Sequence, residues 1–225
     1  METKKRAPRG REAEAARNDR TILDAARTVF IRDPEAPISA VAEEAGVGVG
    51  ALYRRYSGKE ELLRTLCEDG LHRFIAIAES APARHDDPWE AFETFVREVI
   101  DSDVHSLTVH LAGTFAPTPE LRSLAVQAST LAALILDRAK TSGAVRADVD
   151  ANDLPMIFDQ ITAIRLGDAD RTAALRRRYL TPLLDALRAD TPTRPLPGPP
   201  PSDEEVGARW RHTGSSPSLR KRPRR

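Results

Sequence analysis

Tyr53, Arg54 and Arg55, followed at once by Tyr56 and then by Lys59, place three cations and an unburied hydroxyl within the stretch Y-R-R-Y-S-G-K. Tyrosine, arginine and lysine donate hydrogen bonds to phosphate oxygens, and arginine also pairs with the O6/N7 edge of guanine. Val49, Gly50 and Ala51, just before them, are small enough to let a helix backbone sink into the major groove of a DNA duplex. No other stretch offers comparable chemistry. The chain contains no G-x-S-x-G, no H-E-x-x-H and no phosphate-cradling glycine loop; Cys67 stands alone in a helical register without an evident base. G-V-G-V-G at 46–50 follows no strand, which argues for a turn instead of a dinucleotide loop. Asp101 and His105 are four residues apart and could share a metal face, but no second histidine lies in helical register and no cysteine is near, so no metal or cofactor is expected.

These groups need helices to hold them. Ile22, Ala25, Ala26 and Val29 repeat at helical spacing, which predicts a helix over about 18–31. R-D-P-E-A-P breaks it, and Pro37 suits the first turn of the next helix, which runs to about Ala45 with Val41 and Ala45 on one face. Gly46 sits where a helix ends in a left-handed residue. A further helix starts near Val49; Leu52 and Tyr56, four apart, face its core and turn Tyr53, Arg54 and Arg55 outward. Lys59 opens the next helix, where free N–H groups and the dipole favour an anion. Spacing alone leaves two readings open, a DNA-reading pair of helices and an ordinary helical domain with a solvated basic edge.

The stretch A-V-A-E-E-A-G-V-G-V-G-A-L-Y-R-R-Y-S-G-K-E-E-L-L closely resembles the helix-turn-helix of the TetR family of transcriptional regulators, whose pattern runs approximately I-A-x-x-A-G-V-S/G-x-G-T-L-Y-x-H/R-F-x-x-K-E-x-L. The likeness covers about residues 18–66 and rests on the order of Gly46, Gly50, Leu52, Tyr53, Tyr56, Lys59 and Leu62. It implies phosphate contacts from Tyr53, Arg55 and Lys59, and places Val49, Gly50, Ala51 and Arg54 near base edges. Two departures stand out: Ala51 replaces the usual threonine, and Ala36-Pro37 replaces the Thr/Ser that commonly opens the preceding helix.

The resemblance also implies an all-α fold of about nine helices, in which an N-terminal three-helix DNA-binding domain precedes a helical domain for effector binding and dimerisation. Division of the chain follows: a basic disordered arm at 1–17, the helix-turn-helix domain at 18–60, the body at 61–190 and a Pro-rich, basic, disordered tail at 191–225. Within the body, helices are expected over about 58–80, 88–105, 120–141, 153–166 and 171–189, with a short segment at 107–115. Ile157, Ile161, Ile164, Leu175, Tyr179, Leu183 and Leu187 form stripes of the kind that usually face a chain's own core; the resemblance implies that they also pair two-fold into a four-helix bundle. Phe74, Trp89, Phe92, Phe95, His105, His110, Phe115, Leu131, Phe158 and Gln160 are candidates to line an effector pocket, although aromatic residues at helical spacing are core by default.

Charge is segregated. Residues 1–60 hold 12 basic and 10 acidic side chains, 61–190 hold 14 and 21, and 191–225 hold 8 and 3, so a polyanion meets basic ends and an acidic middle. The absence of an apolar run near the roughly 20 residues a bilayer span needs, of a secretory h-region and of a second cysteine suits the cytoplasm. The expected partners are double-stranded DNA, a second copy of the chain and a small-molecule effector, with no membrane. The expected role is a repressor on a pseudo-palindromic operator; a DNA-binding protein of low sequence specificity and a helical small-molecule-binding protein are the alternatives.

Overall fold

The computed structural model describes residues 9–33, 35–105, 114–190 and 194–208, with side chains from residue 17 onward. Nine helices lie among them: α1 (Arg9–Arg32), α2 (Ile38–Glu44), α3 (Val49–Arg55), α4 (Lys59–Arg84), α5 (Pro88–Asp101), α6 (Pro119–Thr141), α7 (Asp153–Thr162), α8 (Ala169–Leu187) and α9 (Asp203–Ala208). The described residues form no strand, only an isolated bridge between Val145 and Arg188.

Local chemistry sets most boundaries. Asp87 accepts hydrogen bonds from the Trp89 and Glu90 amides, with Pro88 at the first helical position. Thr118 and Pro119 do the same for α6, and Asp168 caps α8 through the Arg171 amide. Four ends differ from the expected ones: α4 runs on to Arg84, beyond the expected residue 80. The first helix begins at Arg9, not near residue 18; α5 stops at Asp101, where Ser102 caps it and Asp103 takes φ +52. α7 stops at Thr162 because Arg176 takes the carbonyls of Thr162 and Ile164, leaving the next turn without its helical bonds. Most of the expected 107–115 segment lies outside the described residues.

The buried side chains form two cores. One gathers Ala26, Val29, Phe30, Val41, Leu52, Tyr56, Leu62 and Leu66 from α1 to α4, closed by Phe115, Leu121 and Ala128. The other gathers Phe92, Phe95, Val99, Leu136, Leu154, Phe158, Leu180 and Leu184 from α5 to α8. α4 serves both: Leu62, Leu66, Leu71 and Ile75 belong to the first, Ala78 and Ala81 to the second, and Phe74 packs against each. Between α1 and α4, Arg27 bridges Asp24 (2.9 Å) and Asp69 (3.0 Å), and Arg73 reaches Asp69 at 2.8 Å.

The part of the tail expected as disordered that falls within 194–208 is docked. Arg146 donates to the Arg194 carbonyl (2.6 Å), the Leu196 amide donates to Asp148 (2.9 Å), and Asn152 donates to the Pro201 carbonyl (3.0 Å) and to Asp203 (2.8 Å). Prolines carry carbonyls without competing N–H groups, which suits them to donors on a neighbouring surface.

Candidate nucleic-acid interface

The approach to α3 is a Schellman turn. The Gly46 amide donates to the Glu43 carbonyl (3.1 Å) and the Val47 amide to the Ala42 carbonyl (2.9 Å), with Gly46 at φ +66. A side chain there would be strained even though a Cβ would meet nothing. The turn fixes where α3 starts. Leu52, fully buried, and Tyr56, 4% exposed, then fix its rotation about its own axis.

That rotation decides what faces outward. Val49, Gly50, Tyr53, Arg54 and Arg55 are exposed, with Tyr53 at 53%, while Ala51 and Lys59 are half-buried. Gly50 is not required by its own surroundings, because an added Cβ would meet only the tip of Arg54, 3.9 Å away. Its missing side chain keeps the outer face low. Lys59, at the first position of α4, has its ammonium 5.4 Å from the centre of the Phe30 ring.

Arg55 does not point freely outward. Its Nε and Nη2 donate to both oxygens of Asp19 on α1, at 2.8 and 2.6 Å. The hydrogen bond first, and the carboxylate charge second, hold the guanidinium above its already high range. Burial, followed by the charge of Asp19, pushes the Tyr56 phenol up. The Ser57 amide donates to Glu61 at 2.6 Å, closing the α3–α4 turn, and hydrogen bonding from Ser57 holds that carboxyl below its ordinary range. Asp19 is the residue the sequence did not reveal here; it lies 36 positions from Arg55, with no local pattern linking them.

In the body, the side chains named as pocket candidates are mostly packed on one another. Phe74 and Phe95 meet edge to face with centroids 5.5 Å apart, Phe158 lies 6.3 Å from Phe95, and His105 lies 5.2 Å from Phe158. Trp89 stacks beside Phe92 and under the guanidinium of Arg188. Phe115 belongs to the α1–α4 core, Leu131 packs against both cores, Gln160 is exposed, and His110 lies outside the described residues. Asp101 and His105 do not converge on a shared point: Asp101 accepts from Arg177 (2.9 Å), while His105 Nε2 lies 2.7 Å from Asp159. An open cleft of about 480 Å³ lies instead between the end of α5 and the start of α8, lined by Asp101, Asp103, Arg165, Asp168, Asp170 and Arg176. Burial holds the Arg165 guanidinium below its usual range, whereas Arg176, 6% exposed, is fully engaged by Asp103 and two carbonyls.

The residues expected at a dimer interface divide. Ile161, Leu175 and Leu187 are buried inside the chain, Ile161 and Leu187 as members of the α5–α8 core. Ile157, Ile164 just past the end of α7, and Leu183 are half-buried and pack against the edge of the same core, and Tyr179 is 52% exposed. Among the described residues no helix is long and apolar enough to cross a membrane.

Residues 22–66 match the family model described as bacterial regulatory proteins, tetR family, and residues 87–189 match that of the transcriptional regulator SbtR-like C-terminal domain. Solved structures agree. A TetR transcriptional regulator from Streptomyces coelicolor is 25% identical, with 77% of this chain and 99% of that one covered at a TM-score of 0.54. A TetR regulatory protein from Mycobacterium vanbaalenii is 26% identical, with coverage of 79% and 98% and a TM-score of 0.55. The fold also matches LfrR from Mycobacterium smegmatis in complex with proflavine, at 20% identity, coverage of 75% and 96%, and a TM-score of 0.55. No curated protein matches the chain. With its helix-turn-helix and its helical body each matched by a regulator model, the chain belongs to the TetR family of DNA-binding transcriptional regulators.

Proposed function

We propose that this regulator is a homodimeric, cytoplasmic repressor that seats α3 in the major groove of each half of a pseudo-palindromic operator. The observation that carries the reading is the outer face of α3: a bare backbone at Gly50 and Ala51, beside an exposed Tyr53 and Arg54, on a helix whose rotation is fixed by Leu52 and Tyr56. Tyr53 and Lys59 position the protein on phosphates; Val49, Gly50, Ala51 and Arg54 lie at the base edges. With few side-chain hydrogen bonds from Val49 to Ala51, Arg54 and the shape of the DNA carry more of the selectivity.

Ile157, Ile164, Tyr179 and Leu183 support a two-fold pairing through α7 and α8, which sets two α3 helices one helical turn of DNA apart, roughly 34–36 Å. The body would serve as receptor for a small apolar or amphipathic effector that releases the operator, in keeping with a fold shared with a regulator solved with proflavine and with a gamma-butyrolactone receptor. Release requires an effector that binds the two states of the dimer with different affinity.

Selection of genomic fragments by the purified full chain tests this directly. Recovery of an inverted repeat with half-site centres 10 to 11 base pairs or a multiple apart, bound as one dimer and far tighter than random duplex at the same salt, is the expected result. Equal affinity for all fragments would overturn it.

A further inference from the structure

We infer that Asp19 is a positioning residue for operator recognition: it keeps the Arg55 guanidinium clasped to α1 in the DNA-bound protein, so that Arg55 orients α3 and is not a phosphate ligand. The inference rests on α3 being the DNA-reading helix. It departs from the family resemblance, which puts Arg55 on a phosphate.

α3 has only seven residues, and one fully buried side chain, Leu52, anchors its middle. Its first turn is held by the Schellman geometry and its end by Tyr56. The Arg55–Asp19 clasp adds a bidentate link from that end to α1, with two parallel N–H···O bonds of 2.8 and 2.6 Å. A planar fork of this kind constrains orientation as well as distance. The Asp19 side chain is 29% exposed and that of Arg55 59%, so the carboxylate is the more shielded partner and α1 the fixed side of the pair.

Transfer of Arg55 to a DNA phosphate would exchange one anion for another. It would also leave Asp19 bare beside a polyanion, with Glu61, hydrogen-bonded by Ser57, on the same turn. The carboxylate that neutralises Arg55 in the free protein therefore costs nothing in the complex as long as the pair persists, and repels DNA as soon as it opens. Keeping the clasp is the favoured arrangement, and the phosphate-facing groups of this edge are then Tyr53 and Lys59, with Arg54 left to the base edges.

Opposite signs separate the two possibilities. Binding of the recovered operator duplex and of a random duplex of equal length is measured by fluorescence anisotropy over a range of salt. Four full-length variants are used: Asp19→Asn, Arg55→Gln, the exchange Asp19→Arg/Arg55→Asp, and Tyr53→Ala. With a persistent clasp, Asp19→Asn weakens operator binding by about tenfold without weakening random-DNA binding, so the ratio of the two falls. Arg55→Gln leaves the slope of log K against log salt unchanged, and the exchange variant recovers most of the operator affinity because it restores the link with its polarity reversed.

If Arg55 binds phosphate, Asp19→Asn tightens operator binding, Arg55→Gln flattens the salt slope by about 0.9 per half-site, and the exchange variant binds worse than either single change. Any of these overturns the clasp. Thermal melting accompanies each variant, and a fall in operator affinity that the exchange fails to reverse while its melting temperature matches the parent also counts against it. Tyr53→Ala reports on the underlying reading: if it leaves operator affinity unchanged, α3 is not the reading helix, and the clasp loses its role with it.

Discussion

Helix α3 and the ring cluster around Phe158 both draw on aromatic side chains, and they use them in opposite ways. α3 buries Leu52 and Tyr56 and gives the rest of its surface away, so Tyr53 stands 53% exposed. The cluster spends everything inward: Phe92, Phe95 and Phe158 are each 2% exposed or less, and Phe74 and His105 close around them. A side chain that serves an outside partner leaves the fold indifferent to its loss, whereas a ring packed among rings is part of the fold's own stability. The contrast separates recognition from architecture, and substitutions can break it.

The largest effect belongs to the cluster. Phe158→Ala should cost about 3–5 kcal/mol in urea unfolding, the range for a fully packed aromatic ring. A loss below about 1 kcal/mol would mean that the ring borders open space, and the contrast with α3 would collapse. Next comes Tyr53→Ala, expected to leave stability within about 0.5 kcal/mol while operator affinity falls by about tenfold, one decade being about 1.4 kcal/mol. Equal losses in folding and binding would show that Tyr53 supports α3 from within.

Gly50→Ala sharpens the same point because its two effects carry opposite signs. Gly50 lies inside α3 with room for a Cβ, so the change should raise stability by up to about 1 kcal/mol and lower operator affinity by filling the low face. Calorimetry and anisotropy on one preparation would check both. The smallest effect at neutral pH is at Cys67. Burial pushes its thiol up to about 12 from an ordinary 9.0. The folded chain keeps this proton after the unfolded chain has lost it, so the contribution to stability is complete below pH 9 and is lost as pH rises towards 12. In the native protein at pH 8 the thiol should resist alkylation until urea unfolds the chain; prompt labelling would contradict its burial.

What the sequence made legible was local. The Ile22, Ala26, Val29 spacing, the Leu52–Tyr56 pair, Gly46 and the Asp87-Pro88 cap all act within a turn or two, and each stands where its spacing put it. Partnerships across the fold were not legible. Nothing near Arg55 announces Asp19, and nothing near Arg176 announces that it will be buried against Asp103 and two carbonyls of the preceding helix end. Helical periodicity identified Ile161, Leu175 and Leu187 as apolar, but the same stripe could face the chain's own core or another copy. Which side each residue took depended on the crossing of α7, α8 and α5. Composition read 191–225 as unattached because prolines rarely build cores; it could not register Arg146 and Asn152 as donors to the carbonyls of Arg194 and Pro201.

Because α4 runs unbroken from Lys59 to Arg84 with side chains in both cores, it has the proportions of a lever between them. Its 26 residues make a rod roughly 39 Å long at about 1.5 Å per residue. A tilt of about 5° around its far end carries Lys59, and the start of the helix-turn-helix with it, through roughly 3 Å, close to the ~3.4 Å rise of one nucleotide along a strand. Two levers swinging symmetrically in a pair would double that displacement, so a change smaller than the width of one side chain at Ala78 or Ala81 would be geared up to a register error on DNA.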